Sequence, residues 1–227
     1  MANYSQIRKM DISNGEGIGV SIFFSGCHFH CKGCFNWELW DYNHGKPFTQ
    51  ETIDEIIQLM KKDYIVRLSI LGGEPMDKEN IEATYDLVKQ VKIKYPKKKI
   101  WLYTGYTIGQ LAKRWNDGEK TIGYILYCVD NIVDGQYDES LKDMNLKFRG
   151  SSNQHIWHIV DVNFNRPQEN NDVIKHHILI NPNKENMHHI LINPNKENMQ
   201  LTLDEFCDTI KWQPINYDKL MERKDKT

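Results

Sequence analysis

Residues 25–36 read SGCHFHCKGCFN and put three of the chain's five cysteines, Cys27, Cys31 and Cys34, into one short stretch. Thiolates are soft ligands, and thiolates this close together select zinc, copper(I) or an iron–sulfur cluster. A structural zinc site takes four protein ligands, usually as two pairs separated by a longer loop. No second pair follows, because Cys128 and Cys207 stand alone and far along the chain. His28, His30 or His44 would have to supply the fourth zinc ligand. A four-iron cluster on three cysteines is the sharper reading, since four thiolates would close every iron. Three leave one iron free for a cofactor or substrate, as a catalytic zinc keeps one position open.

A second stretch, LGGEP at residues 71–75, suits close approach to a small molecule. Gly72 and Gly73 carry no side chain to block it, and carbonyls at the end of a strand must find donors outside the ladder. The NGEGIG stretch at 14–19 lacks the lysine of a phosphate loop and precedes a strand instead of following one, so it reads as a turn.

These groups need elements to hold them. GVSIFF, from Gly19, is a strand that ends just before Cys27. Thr49 caps a helix whose Ile53, Ile56, Ile57 and Met60 share a face. Ile65 to Leu71 form a second strand, stopped by Gly72 and Gly73. The next helix carries Ile81, Tyr85, Val88 and Val91 on one side, and Pro96 prevents its continuation. KKIWLYTG is a third strand that ends at Tyr103 and Thr104. A short helix over Ile108 to Trp115, a short strand in DNIVDG and a last strand in HIWHIVDV complete the pattern. Repeated strand–helix–strand units predict a parallel sheet with right-handed crossovers. The strands are too few, and about 160 residues too short, for a closed eight-stranded barrel. The expected fold is α/β, an open or partial parallel β/α barrel with its ligands beyond the carboxyl ends of the strands. Cys27 and Gly72 would then share one mouth.

Composition excludes several classes. Hydrophobic residues make up 40% and charged residues 26% of the 227, an ordinary globular mix. A net charge of −2 argues against a nucleic-acid binder and a polybasic membrane anchor. No apolar run is long enough for a membrane span, and MANYSQIRKMDISNGEG is too polar for a signal peptide. A cytoplasmic location is expected, where thiols stay reduced and five cysteines make no disulfide framework.

Beyond about Val162 the character changes. NFNRPQENND reads as a linker. HHILINPNKENM then occurs at 176–187 and again, letter for letter, at 188–199. Two copies are too few for a solenoid, so a recent tandem duplication, or an assembly error in the sequence, within a surface segment is expected. Its four histidines (His176, His177, His188 and His189) are taken as incidental. LTLDEFCDTI reads as a short docking helix. The chain is thus expected to divide into a domain at 1–162 and an irregular C-terminal extension at 163–227.

The spacing Cys-x3-Cys-x2-Cys after a first strand, with GGEP one strand later, resembles the radical S-adenosylmethionine superfamily. GEGIGVSIFFSGCHFHCKGCFN, IWLYTGYT and FRGSSNQHI are similar to the activating proteins of anaerobic ribonucleoside-triphosphate reductase, over about Tyr4 to Val162. The resemblance implies the partial-barrel fold and a 4Fe-4S cluster on Cys27, Cys31 and Cys34. It implies S-adenosylmethionine as cofactor, with contacts at Gly33, Cys34, Phe35, Gly72, Gly73, Glu74, Tyr103 and Thr104. Many superfamily members place an aromatic residue just before the third cysteine, where this chain has Gly33, with Phe35 on the other side. The implied activity is reductive cleavage of S-adenosylmethionine to a 5′-deoxyadenosyl radical, which takes hydrogen from a glycine of the reductase. No general acid or base is required. A flavodoxin-like electron donor is implied as a second partner. KFRGSSNQ, at 147–154, is the most family-specific piece, and its residues suggest no chemical role of their own.

Two alternatives remain. One is radical chemistry on another target, either a different glycyl-radical enzyme such as pyruvate formate-lyase or a small molecule. The other is a zinc-stabilised binding module without turnover. Trp37, Trp40 and Tyr42 are expected to pack over the loop, Cys128 to be an inert buried thiol, and Asp130 and Asp134 to be solvated turn residues.

Overall fold

The structure, a computed structural model, describes residues 1–162 and 176–180. Its elements are β1 (Asn3–Asp11), β2 (Gly19–Phe24), β3 (Lys46–Pro47), α1 (Gln50–Leu59), β4 (Arg67–Gly72), α2 (Ile81–Lys94), β5 (Lys99–Tyr103), α3 (Ile108–Asn116), α4 (Lys120–Cys128), β6 (Asn131–Asp134), β7 (His155–Val162) and β8 (His176–Ile180). They build one open mixed sheet in the order β3-β1-β2-β4-β5-β6-β7-β8.

The four central strands, β2, β4, β5 and β6, run parallel, as the strand–helix pattern predicts. Register pairs Phe24 with Gly72, so the cysteine loop and the GGEP turn leave the sheet side by side. The expectation of an all-parallel sheet is corrected at both flanks. β1 joins β2 antiparallel, and β7 joins β6 antiparallel. Residues 135–154 contain no α-helix to carry the chain back across the sheet; they stay at the carboxyl end of β6, so β7 starts where β6 stops. β1 went unanticipated because NYSQIRKMD is largely polar, as suits a strand with an exposed face.

Side chains alternate across the strands. Ile22, Phe24, Leu68, Ile70, Ile100, Leu102 and Ile132 face the helices and form the main core with Ile53, Ile56, Leu87, Val88, Leu111, Ile122 and Ile125. The other face carries two small clusters, Phe23, Leu39 and Leu71 in one, Trp101, Val133 and Ile156 in the other. The loop after β1 crosses this second face. There the fully buried Arg67 donates to the carbonyls of Asp11 and Glu16 and to Ser69 Oγ. The NGEGIG stretch is the turn expected, with its Glu16 carbonyl bound to Arg67.

α1 starts after Thr49, whose N–H donates to Thr52 Oγ1. α2 buries Ile81, Leu87, Val88 and Val91 and stops two residues before Pro96. α4 was not anticipated. It buries Ile122, Gly123, Ile125 and Leu126 against the core.

β8 is the start of the first repeat copy and pairs antiparallel with β7, Val162 opposite His176. The linker at 163–172, His188, His189, the second repeat copy, Cys207 and the expected tail helix lie outside the described residues.

Candidate metal centre

Three cysteines occupy one loop because the end of β2 is bound on both sides. The Gly26 N–H donates to the Leu39 carbonyl and the Cys27 N–H to that of Trp40. From the other side Gly73 N–H reaches the Phe24 carbonyl and Glu74 N–H that of Gly26, each at 2.7 Å. This contact explains the paired glycines. A Cβ on Gly73 would lie 2.3 Å from the Gly26 carbonyl oxygen. Gly26 has φ +90, and a Cβ there would fall 1.9 Å from the Tyr42 ring. The glycines thus bring the second motif's backbone against the cysteine loop itself.

The three thiols are half-buried and free. Burial above all pushes the Cys27 thiol up to about 12; the Glu74 and Asp77 carboxylates add to this, and backbone N–H groups of Phe29 and His30 oppose it. Burial first, then Cys34, raises the Cys31 thiol, against a backbone N–H of Tyr137. Asn36 N–H donates to Cys34 Sγ at 3.4 Å. The Cys34 sulfur thus accepts a backbone N–H, a donation that supports a thiolate bound to metal. Among the described residues, no three His, Cys, Asp or Glu side chains gather as a single metal ion would require. A cube is not held in that way, since each thiolate takes a different iron. Three soft thiolates on one loop are a donor set that fits such a cluster.

Of the histidines offered as a fourth zinc ligand, His28 has a ring nitrogen engaged elsewhere. His28 Nδ1 lies 2.6 Å from Asp77 Oδ1. The His30 ring packs on Trp40, and His44 sits in a turn closed by the Asp41 carbonyl. Of the aromatics expected over the loop, Trp40 and Tyr42 pack as anticipated, whereas Trp37 is exposed.

Glu74 and Thr104 meet at the same mouth. The Glu74 carboxylate is buried and accepts from Met76 N–H, Thr104 Oγ1 and Gly105 N–H. It braces the end of β4 to the end of β5, and its burial pushes its pKa up to about 7. Tyr103 turns to the second face between Leu71 and Trp101, its hydroxyl buried without a partner. Phe35 is exposed, its ring 5.6 Å from Tyr137.

Sequence reasoning passed over Asp77. Its buried carboxylate accepts from the His28 N–H, Tyr42 Oη and Tyr106 Oη, besides facing the His28 ring. Its only visible signal was a position two residues beyond GGEP. Asn80 was also passed over; its side-chain amide donates to the carbonyls of Ser25 and Glu74.

Two earlier readings are corrected. Asp134 is buried, accepts the Ile108 N–H at the start of α3 and stands 3.2 Å from His155 Nδ1. Asp130 pairs with Lys92 and Lys99 at the opposite end of the sheet from the cysteines. Cys128 is half-buried at the end of α4, its thiol raised by burial.

A cavity of about 630 Å³ opens beside Cys31, between residues 29–32 and residues 136–140.

The family model described as a 4Fe-4S single cluster domain matches residues 13–157. A protein of Vibrio cholerae is 40% identical over 156 residues, 68% of this chain and 96% of its own length. One of Enterobacteria phage T4 is 37% identical over 159 residues, 70% and 96% respectively. One of Escherichia coli K12 is 36% identical over 159 residues, 69% and 99%. All three carry the name anaerobic ribonucleoside-triphosphate reductase-activating protein.

Proposed function

The chain belongs to the anaerobic ribonucleoside-triphosphate reductase-activating proteins, and on that premise we propose that it installs a glycyl radical on the reductase. The reading rests on one observation above the rest: three half-buried thiols on a single loop, with a backbone N–H donated to Cys34 Sγ, packed against the Gly72–Glu74 turn.

In this reading Cys27, Cys31 and Cys34 hold a 4Fe-4S cluster. S-adenosylmethionine would be held by Gly33, Cys34, Phe35, Gly72, Gly73, Glu74, Tyr103 and Thr104. When bound, the two groups supply one-electron chemistry that removes a hydrogen atom from a glycine Cα of the partner. The chain's own residues provide placement. Gly72 and Gly73 keep the turn's backbone in contact with the loop, Glu74 and Thr104 brace the two strand ends, and Asp77 ties His28 to Tyr42 and Tyr106. No side chain acts as a general acid or base.

The open sheet is read as the partial barrel of radical S-adenosylmethionine enzymes, left open because its substrate is a loop of another protein. Among the described residues, no helix is long and apolar enough to cross a membrane. A cytoplasmic location and a flavodoxin-like donor are part of the same reading. Residues 1–162 would be the working unit and 163–227 an extension.

The test is anaerobic incubation of the reconstituted protein with the reductase's glycyl-radical subunit, a low-potential reductant and S-adenosylmethionine. Electron paramagnetic resonance should show a glycyl radical that requires all four components. Cofactor cleavage without that radical would mean a different target.

A further inference from the structure

The KFRGSSNQ stretch binds a segment other than its own, and that segment lies on the cysteine loop. Gln154 Oε1 accepts the N–H groups of Gly150 and Ser151, while its Nε2 donates 2.8 Å to the Gly135 carbonyl. Asn153 Nδ2 donates 2.8 Å to the Gln136 carbonyl. The buried Ser151 accepts the Asp138 N–H on its Oγ, and Ser152 N–H reaches the Leu141 carbonyl. A turn that merely led into β7 would not direct the side chains of Ser151, Asn153 and Gln154 at another segment's backbone.

The held segment, residues 135–141, meets the cysteine loop at three points. The Tyr137 ring packs on Phe35. Glu139 lies so close to Gly33 that a Cβ there would come within 2.6 Å of its Oε1. Lys32 Nζ stands 3.8 Å from the Glu139 carboxylate.

We propose that Ser151, Asn153 and Gln154 are positioning residues that hold residues 135–141 as a wall against the cysteine loop and so set the surroundings of the Cys31 sulfur. The proposal rests on the cluster reading given above. Residues 136–140 and residues 29–32, Cys31 among them, line one cavity, so the wall governs how far solvent reaches that sulfur. Solvent around a cluster raises its reduction potential by stabilising the more negative, reduced state. Releasing the wall should therefore make the cluster easier to reduce.

The test compares reconstituted parent, Gln154→Leu and Asn153→Ala, measuring iron per chain and the cluster's midpoint potential by anaerobic redox titration. Iron per chain should match the parent, because all three cysteines remain, while the midpoint moves to more positive potential, further in Gln154→Leu. Asn153→Ala removes a single donor at the surface and keeps the test valid should Gln154→Leu fold poorly. An unchanged or more negative midpoint in Asn153→Ala and in folded Gln154→Leu would overturn the proposal. A parent that takes up no cluster would overturn the reading beneath it, which is a separate result.

Discussion

The Asp77 carboxylate holds His28 twice, through its ring Nδ1 at 2.6 Å and through its backbone N–H at 3.2 Å. His28 follows the first cysteine directly, and Asp77 follows GGEP by two residues. One buried acid thus fixes the orientation of the loop relative to the turn, with Tyr42 and Tyr106 as its further donors.

Replacing Asp77 with Ala leaves the half-buried Tyr42 and Tyr106 hydroxyls and the His28 groups without their acceptor. The apoprotein should lose about 3 kcal/mol of unfolding free energy, and Tyr42→Phe about 1–2 kcal/mol. Urea unfolding measures both. A change below the error in Asp77→Ala would show that the four contacts carry little of the loop's order.

Glu74 sets a pH dependence of known sign. Burial pushes its carboxyl up to about 7 in the folded chain, against an ordinary value of 4.5. The folded state keeps a proton that the unfolded chain releases, so the contribution is complete below about 4.5 and is lost as pH rises through about 7. Its size is on the order of 3 kcal/mol. Unfolding free energy of the parent minus that of Glu74→Gln should therefore fall across this window. A flat difference would mean that the carboxyl titrates normally.

Gly73→Ala drives a methyl group against the Gly26 carbonyl. The backbone of two strand ends must separate, at about 1–3 kcal/mol, and iron uptake on reconstitution should drop with it. A variant with parental stability and iron content would show that the close approach is not needed.

The repeated dodecapeptide allows a simple deletion. Removing residues 188–199 should leave iron content and S-adenosylmethionine cleavage unchanged, because the first copy still supplies β8. Loss of cleavage would assign the extension a role in the chemistry.

What was legible in the sequence was local. The cysteine spacing, the GGEP turn and the apolar strands each declare themselves within a dozen residues, and β2, β4, β5 and β6 fall where the pattern places them. Even the shared mouth of Cys27 and Gly72 followed, since parallel strands put their carboxyl ends together. What was hidden depends on partners far along the chain. Asp77 is one acid among many until Tyr42 and Tyr106 are seen to converge on it. The reversal of β7 rests on residues 135–154 staying at one end of the sheet, which no periodicity reports. α4 begins at Lys120 after Gly118 without a side-chain cap, so its start carried no signal. Ser151, Asn153 and Gln154 read as a turn because their bonds go to another loop.

The central claim is that three cysteines hold a cluster with one iron left for the cofactor. The most direct measurement is the electron paramagnetic resonance spectrum of the reduced, reconstituted protein, recorded with and without S-adenosylmethionine. The account predicts a cluster signal whose g-values move when the cofactor is added, and no such signal in Cys31→Ala. A spectrum that the cofactor leaves unaltered, or a full signal in Cys31→Ala, would contradict it.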